Sequence, residues 1–92
     1  MAITRAKFVL NQIRRHGFTT YEKVDGKNVP VTKEMNTLEF SPVYGNGDPN
    51  HENTKFWSAS PTGKIELGTV NLAVAAQFEL GKEYYIDFTP AE

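Results

Sequence analysis

The chain contains no cysteine. That excludes disulfides, thiolate zinc sites and cysteine nucleophiles, and it fits a reducing cytoplasm. His16 and His51 are the only histidines, so histidine-based acid–base catalysis has little to build on. No apolar run approaches the ~18 residues of a membrane span, and no apolar stretch follows a basic N-terminus, so neither a transmembrane helix nor a secretory signal is expected. Internal repeats and low-complexity linkers are missing too, which excludes a solenoid. There is no Gly-x-Ser-x-Gly, no phosphate-binding P-loop, no dinucleotide fingerprint and no His-Glu-x-x-His. The chain therefore reads as a non-enzyme with no cofactor. What is present is 92 residues, 39% apolar and 12% aromatic, enough for one domain over residues 1–92 with one compact core. A charged fraction of 23% argues against wholesale disorder.

The net charge of −1 conceals an asymmetry. Residues 1–33 carry Arg5, Lys7, Arg14, Arg15, Lys23, Lys27 and Lys33 against Glu22 and Asp25, a net of +5. Residues 34–92 carry Lys55, Lys64 and Lys82 against nine carboxylates, a net of −6. A protein that coats long nucleic acid needs a cationic excess to neutralise phosphates, and this chain has none. A local basic patch that grips a small anion stays open.

The segment Arg5–Arg15 fits two patterns. Phe8, Val9, Leu10 and Ile13 among polar neighbours suit a strand, whereas Ile3, Ala6, Val9, Leu10 and Ile13 also make a helical stripe that stops at Gly17. The β-rich remainder favours the strand. Phe18–Val24 leads into Asp25-Gly26, a tight-turn dipeptide, and Val29-Pro30-Val31 reads as an edge strand because proline cannot donate to a central ladder. Thr37–Tyr44 alternates, with Leu38, Phe40, Pro42 and Tyr44 on one face. Residues 45–54 hold almost nothing to bury and read as a mobile surface loop. Lys64–Val70 reads as a strand with Ile65 and Leu67 inward. A helix is expected over Leu72–Leu80, capped by Asn71 and stopped at Gly81. Lys82–Phe88 reads as the last strand, with Tyr84, Ile86 and Phe88 sharing a face. The expected fold is mainly β: a small antiparallel sheet or barrel with one short helix before the last strand. Exposed edges on so small a sheet favour a homo-oligomer.

Three constellations carry chemical meaning. Asp48, Asn50 and Glu52 alternate around His51, but a calcium loop needs more ligands and a distal bidentate glutamate, so no metal site is assigned. Arg14 and Arg15 make the densest basic cluster and are candidate phosphate clamps, through arginine's bidentate fork, or else a solvated charged end. On a strand they face opposite ways and at most one meets a given phosphate. Tyr44, Phe56 and Trp57 flank the 45–54 loop. There they either stack on a nucleobase or anchor the loop to the core. The candidate ligand-binding residues are thus Arg14, Arg15, Tyr44 and Trp57.

Phe40-Ser41-Pro42-Val43-Tyr44, Asn53 to Trp57, Thr62 to Gly68 and above all the stretch from Phe78 to Glu92, ending Tyr-Tyr-Ile-Asp-Phe-Thr-Pro-Ala-Glu, are similar to a widespread set of small tailed-bacteriophage proteins. The resemblance covers roughly residues 36–92 and leaves the basic cluster outside it. Some phage proteins of this size are sponges that sequester cyclic-nucleotide signals of bacterial immunity, and the chain resembles an anti-CBASS sponge of that kind. The resemblance implies a non-enzymatic protein of the host cytoplasm that binds a small nucleotide such as a cyclic dinucleotide, and it carries over no site residue. The alternatives are a single-stranded nucleic-acid-binding module and a structural or protein-interaction phage subunit.

Overall fold

A computed structural model of the chain describes residues 4–46 and 48–91. Two long strands dominate it, β1 over Thr4–Val24 and β2 over Lys27–Pro42. Asp25 and Gly26 join them with φ of 52° and 78°, the paired left-handed conformation of a type I′ hairpin turn, whose twist matches that of the strands it connects. After β2 come α1 (Glu52–Trp57), β3 (Ile65–Thr69), α2 (Leu72–Ala75) and β4 (Glu83–Phe88). The four strands form one antiparallel sheet in the order β3-β2-β1-β4. This is the mainly β architecture expected, but the sheet is open: β3 and β4 lie at opposite margins, and the barrel alternative is set aside.

The ambiguous N-terminal segment is strand throughout, and β1 runs unbroken through Gly17. A helix there would have satisfied its own backbone; the strand instead bonds to β2 on one side and to β4 on the other over Thr4–Val9. Ala6, Phe8 and Leu10 alternate inward and are buried, facing Leu38 and Phe40 of β2. Between Leu10 and Gln12 the register slips by one residue, a β-bulge at Asn11. Beyond it the odd-numbered residues of β1 take over the inner face, so Ile13 opposite Leu38 continues the core.

Phe78, Tyr84, Ile65, Ile86 and Trp57 close that core. The ring of Phe40 meets Phe78 and Tyr84 edge-on at 6.0 and 5.9 Å, the geometry aromatic quadrupoles prefer. All of this lies on one face of the sheet. The opposite face carries charged side chains, as one-sided antiparallel sheets commonly do.

The helices differ from expectation. Asn71 does cap a helix, its side chain accepting from the Val74 N–H at 3.2 Å. The helix ends at Ala75 rather than at Leu80. Tight turns then follow, from Gln77 N–H to Val74 and from Phe78 N–H to Ala75, and they bring Phe78 against Phe40. A tertiary contact overrides helix propensity here. Gly81 has the expected positive φ, 84°, but it serves the turn into β4, donating to Leu10 O at 2.7 Å. A second helix, α1, occupies part of what the sequence presents as loop.

The hairpin outruns the rest of the sheet. β4 covers β1 only as far as Val9, and β3 covers β2 only from Asn36 to Phe40. From His16 and Met35 to the turn, the two strands project alone as an arm of nine residue pairs, about 30 Å long at the usual strand rise. The molecule accordingly measures 63 × 32 × 20 Å with a radius of gyration of 18.3 Å, against roughly 12 Å for a compact domain of this length. Val29-Pro30-Val31 lies in the arm, where Pro30 needs no outward N–H partner, as its edge reading anticipated.

Candidate functional site

The loop after β2 is built around Asn53, which is fully buried. Its Oδ1 accepts the Lys7 N–H at 2.6 Å, and its Nδ2 donates to Lys7 O at 2.7 Å and to Val43 O at 2.6 Å. Val43 N–H also donates to Lys7 O at 3.1 Å. The carboxamide therefore wedges between β1 and the end of β2 and completes the ladder where the strands diverge. His51 caps α1, its Nδ1 accepting the Asn53 N–H at 3.0 Å. Asp48 accepts the Asn50 N–H at 2.9 Å. The alternating Asp48, Asn50 and Glu52 are thus engaged in turn and helix geometry, and among the described residues no group of three or more His, Asp or Glu is placed to hold a metal. Among the described residues of 45–54, Asn46, Asp48, Pro49 and Asn50 are exposed as a surface loop should be, but Gly45 and Asn53 are buried, and a Cβ at Gly45 would collide with Thr54 Oγ1.

The four candidate residues fall in three places. Trp57, half-buried, packs on Phe8 with centroids 6.0 Å apart and on Phe56 at 4.5 Å, and its indole N–H donates to Thr62 O at 3.1 Å. Both sides of its chemistry are in use, the ring as a core lid and the N–H as the tether of the 58–62 turn. Tyr44 is 65% exposed and lines a groove of about 290 Å³ together with buried Gly45 and with Asn46, Thr54, Ser58, Ser60 and Pro61. Ser58 closes α1 in the left-handed conformation, φ 56°, and leads into Ala59, Ser60 and Pro61, which also line the groove. The groove offers hydroxyls, an amide and one free aromatic face, and its lining residues carry no charge.

Arg14 and Arg15 lie on β1 and face opposite sides of the sheet, as adjacent strand residues must. Arg14 bonds to Glu39 and Glu66, each at 3.0 Å, and to Gln12. Arg15 forks onto Glu34 with two bonds of 2.9 Å. Both arginine groups are held by carboxylates that an incoming anion would have to displace. Nor are they exceptional. Arg5 forks onto Asp87 at 2.6 and 3.1 Å, Lys7 reaches Glu52 and Glu83, and Lys33 reaches Glu22. Most of these pairs join the cationic first third of the chain to its anionic remainder, and the charge asymmetry is largely consumed inside the molecule.

These pairs set a pH dependence. Hydrogen bonding by Arg15 holds the Glu34 carboxyl below its ordinary value, as does Arg14 for Glu66 and Arg5 for Asp87. A carboxyl whose pKa is depressed by folding stabilises the fold above its unfolded pKa and loses that contribution as pH falls through the folded value. The melting temperature is therefore expected to hold from neutrality to about pH 5 and to fall progressively below about pH 4, where unfolded carboxylates begin to protonate. Added salt, which screens exposed pairs, is expected to lower it at neutral pH and to have less effect in acid. Circular dichroism melts across pH 2.5–7 at two salt concentrations measure both.

The structure adds two features that the residue types alone did not disclose, the Asn53 wedge and the bare arm. No protein-family model, curated protein or solved structure matches the chain.

Proposed function

We propose that the protein is a non-enzymatic phage protein that works as a homo-oligomer in the host cytoplasm and sequesters a small nucleotide, such as a cyclic dinucleotide, in the groove beside Tyr44. The observation that carries this reading is the exposed Tyr44 side chain in one groove with the hydroxyls of Thr54, Ser58 and Ser60. A base stacks on a free aromatic face for roughly 1–3 kcal/mol, and hydroxyls and an amide suit the edges of a base or a ribose. The groove has no charged lining, so it recognises the nucleoside part. Trp57 reaches the groove only indirectly, by tethering Thr62 next to its lining residues Ser58 to Pro61, while Arg14 and Arg15 belong to the ion-pair network and are not among its lining residues.

A thermal-shift panel of cyclic di- and trinucleotides tests the reading. A true ligand at a hundred times its dissociation constant adds about 2.7 kcal/mol, a rise on the order of 10–20 °C for a chain of this size. Tyr44→Ala, which loses roughly 1–3 kcal/mol of stacking, is expected to cut the rise by about a third or more while leaving the unliganded melting temperature nearly unchanged. Trp57→Ala is expected to lower that temperature with or without nucleotide. A flat panel, together with no nucleotide released from denatured protein in mass spectrometry, overturns the reading.

A structural or protein-interaction role is the second reading, and the arm favours it: an exposed two-stranded projection is more surface than a pocket requires. The single-strand-binding alternative draws less support. Its signature would be a stripe of free cations, whereas here most cations of the sheet's polar face alternate with carboxylates that hold them.

A further inference from the structure

The arm has one closed edge and one open edge, and we propose that the open edge of β1 pairs with the same edge of a second copy of this chain, antiparallel about a two-fold axis at Phe18. This deepens the oligomeric part of the function proposed above and does not depend on the nucleotide part.

The two-residue turn makes Val24 and Lys27 a hydrogen-bonded pair. Along β1 beyond the bulge, even-numbered residues therefore bond to β2, and odd-numbered ones, Ile13 to Lys23, aim their N–H and C=O outward. On β2 the outward positions include Pro30, which has no N–H to offer, so that edge is blocked midway. The β1 edge has no such block. Among the described residues nothing pairs with it beyond Leu10, where Lys82 and Gly81 close off β4. The open edge runs from Gln12 to Val24, and its midpoint is Phe18.

Pairing that whole edge with itself fixes the register, and the register is self-complementary. Arg14 falls opposite Glu22 of the second copy, and Arg15 falls opposite Tyr21, the type of contact Arg5 already makes with the Tyr85 ring at 4.5 Å. Phe18 falls opposite its own copy, and no like charges face each other. Shifting the partner by two residues either way loses the Arg14–Glu22 match, and one of the two shifts also sets Arg15 against Lys23. An isolated two-stranded ribbon is marginal in water, whereas four strands are not. Pairing would also set half-buried Phe18 against its own copy, on the face of the arm it shares with Val31 and Val29 of β2. The occupant is thus another arm.

Three measurements at micromolar concentration test the pairing. Light scattering on the whole protein is expected to give twice the 10.3 kDa chain mass. Thr19→Pro removes an outward N–H that β2 does not use, so it is expected to return the mass to one chain while strand content in circular dichroism is kept. Phe18→Cys, in a chain with no other cysteine, is expected to form a disulfide-linked dimer on mild oxidation, because facing residues that do not exchange hydrogen bonds have Cα atoms about 4.5 Å apart. Val31→Cys, one strand further out, is expected not to. A one-chain mass for the unaltered protein overturns both the interface and the oligomer. A dimer that survives Thr19→Pro, or that cross-links equally through both cysteine variants, overturns the interface and leaves the oligomer standing. Should Thr19→Pro unfold the arm, the comparison of the two cysteine variants decides alone.

Discussion

Replacing Asn53 with alanine is expected to destabilise the protein by about 4 kcal/mol, the sum of two effects. The Lys7 N–H and the Val43 C=O lose the carboxamide atoms that satisfy them, and a buried backbone group left unpaired costs about 1–3 kcal/mol. The space vacated by the fully buried Asn53 side chain adds a cavity the size of the three heavy atoms removed, Cγ, Oδ1 and Nδ2. Aspartate is the informative second variant. Its shape fits and one oxygen still accepts the Lys7 N–H, but its other oxygen faces two carbonyls where the amide donated. Such a carboxyl is held neutral by its surroundings, so its folded pKa rises and stability is lost as pH rises from the unfolded value towards it. Asn53→Asp is therefore expected to be more stable at pH 5 than at pH 7. Urea unfolding of both variants at the two pH values measures the size and the sign.

Phe40→Ala is expected to cost about 3–5 kcal/mol, the usual range for a buried aromatic. Phe40 is 2% exposed, stands at the centre of the inner face and holds Phe78 and Tyr84 edge-on. A chain of this size has only about 5–14 kcal/mol in all, and few of its apolar side chains are fully buried. A protein near the lower end of that range would keep no more than about 2 kcal/mol after the substitution and be marginally folded at room temperature. Asn28→Ala, exposed on the β2 side of the arm and away from the β1 edge, is expected to change the urea midpoint by the equivalent of about 0.5 kcal/mol or less. The contrast locates the stability in the body of the sheet and separates it from the arm.

Much of this fold was written in local pattern. Leu38 and Phe40 alternate as a half-buried strand should, Asp25-Gly26 names its own turn type, and Pro30 marks an edge. The unread parts depend on residues distant in sequence. Nothing local separates helix from strand over Arg5–Arg15; the partners that decide it are Thr37–Pro42 and Glu83–Phe88. The Asn11 bulge breaks the alternation without any glycine to announce it. The helix after Asn71 ends early because Phe78 is needed on the core, which composition does not encode. Asn53 sits among residues typical of solvated loops, and its burial follows from where the strands diverge. At the candidate site, Tyr44 was legible as an aromatic at a loop mouth but not as an exposed one, because its place in the Leu38–Phe40–Pro42 alternation equally suits a core anchor; β2 ends at Pro42 and leaves the ring outside the core. The basic cluster was legible as charge but not as partnership: Glu34, Glu39 and Glu66, which occupy Arg14 and Arg15, are recognisable only once the sheet order is known.

That sheet order also governs how the chain is made. β1 is synthesised first, yet it lies in the interior of the sheet, and its neighbour β4 is synthesised last, with Thr4 paired to Phe88. The β1–β2 hairpin, whose contacts are the most local, is complete while half the chain is still within or behind the ribosome. At that stage the nascent segment carries its cations without most of the carboxylates that later hold them, and Phe8 and Leu10 lie uncovered. Closing the core requires the longest loop in the molecule to be paid for last, which places folding on the slow, high-contact-order side for so small a protein. Until then the growing chain displays a positive, apolar strand to its surroundings.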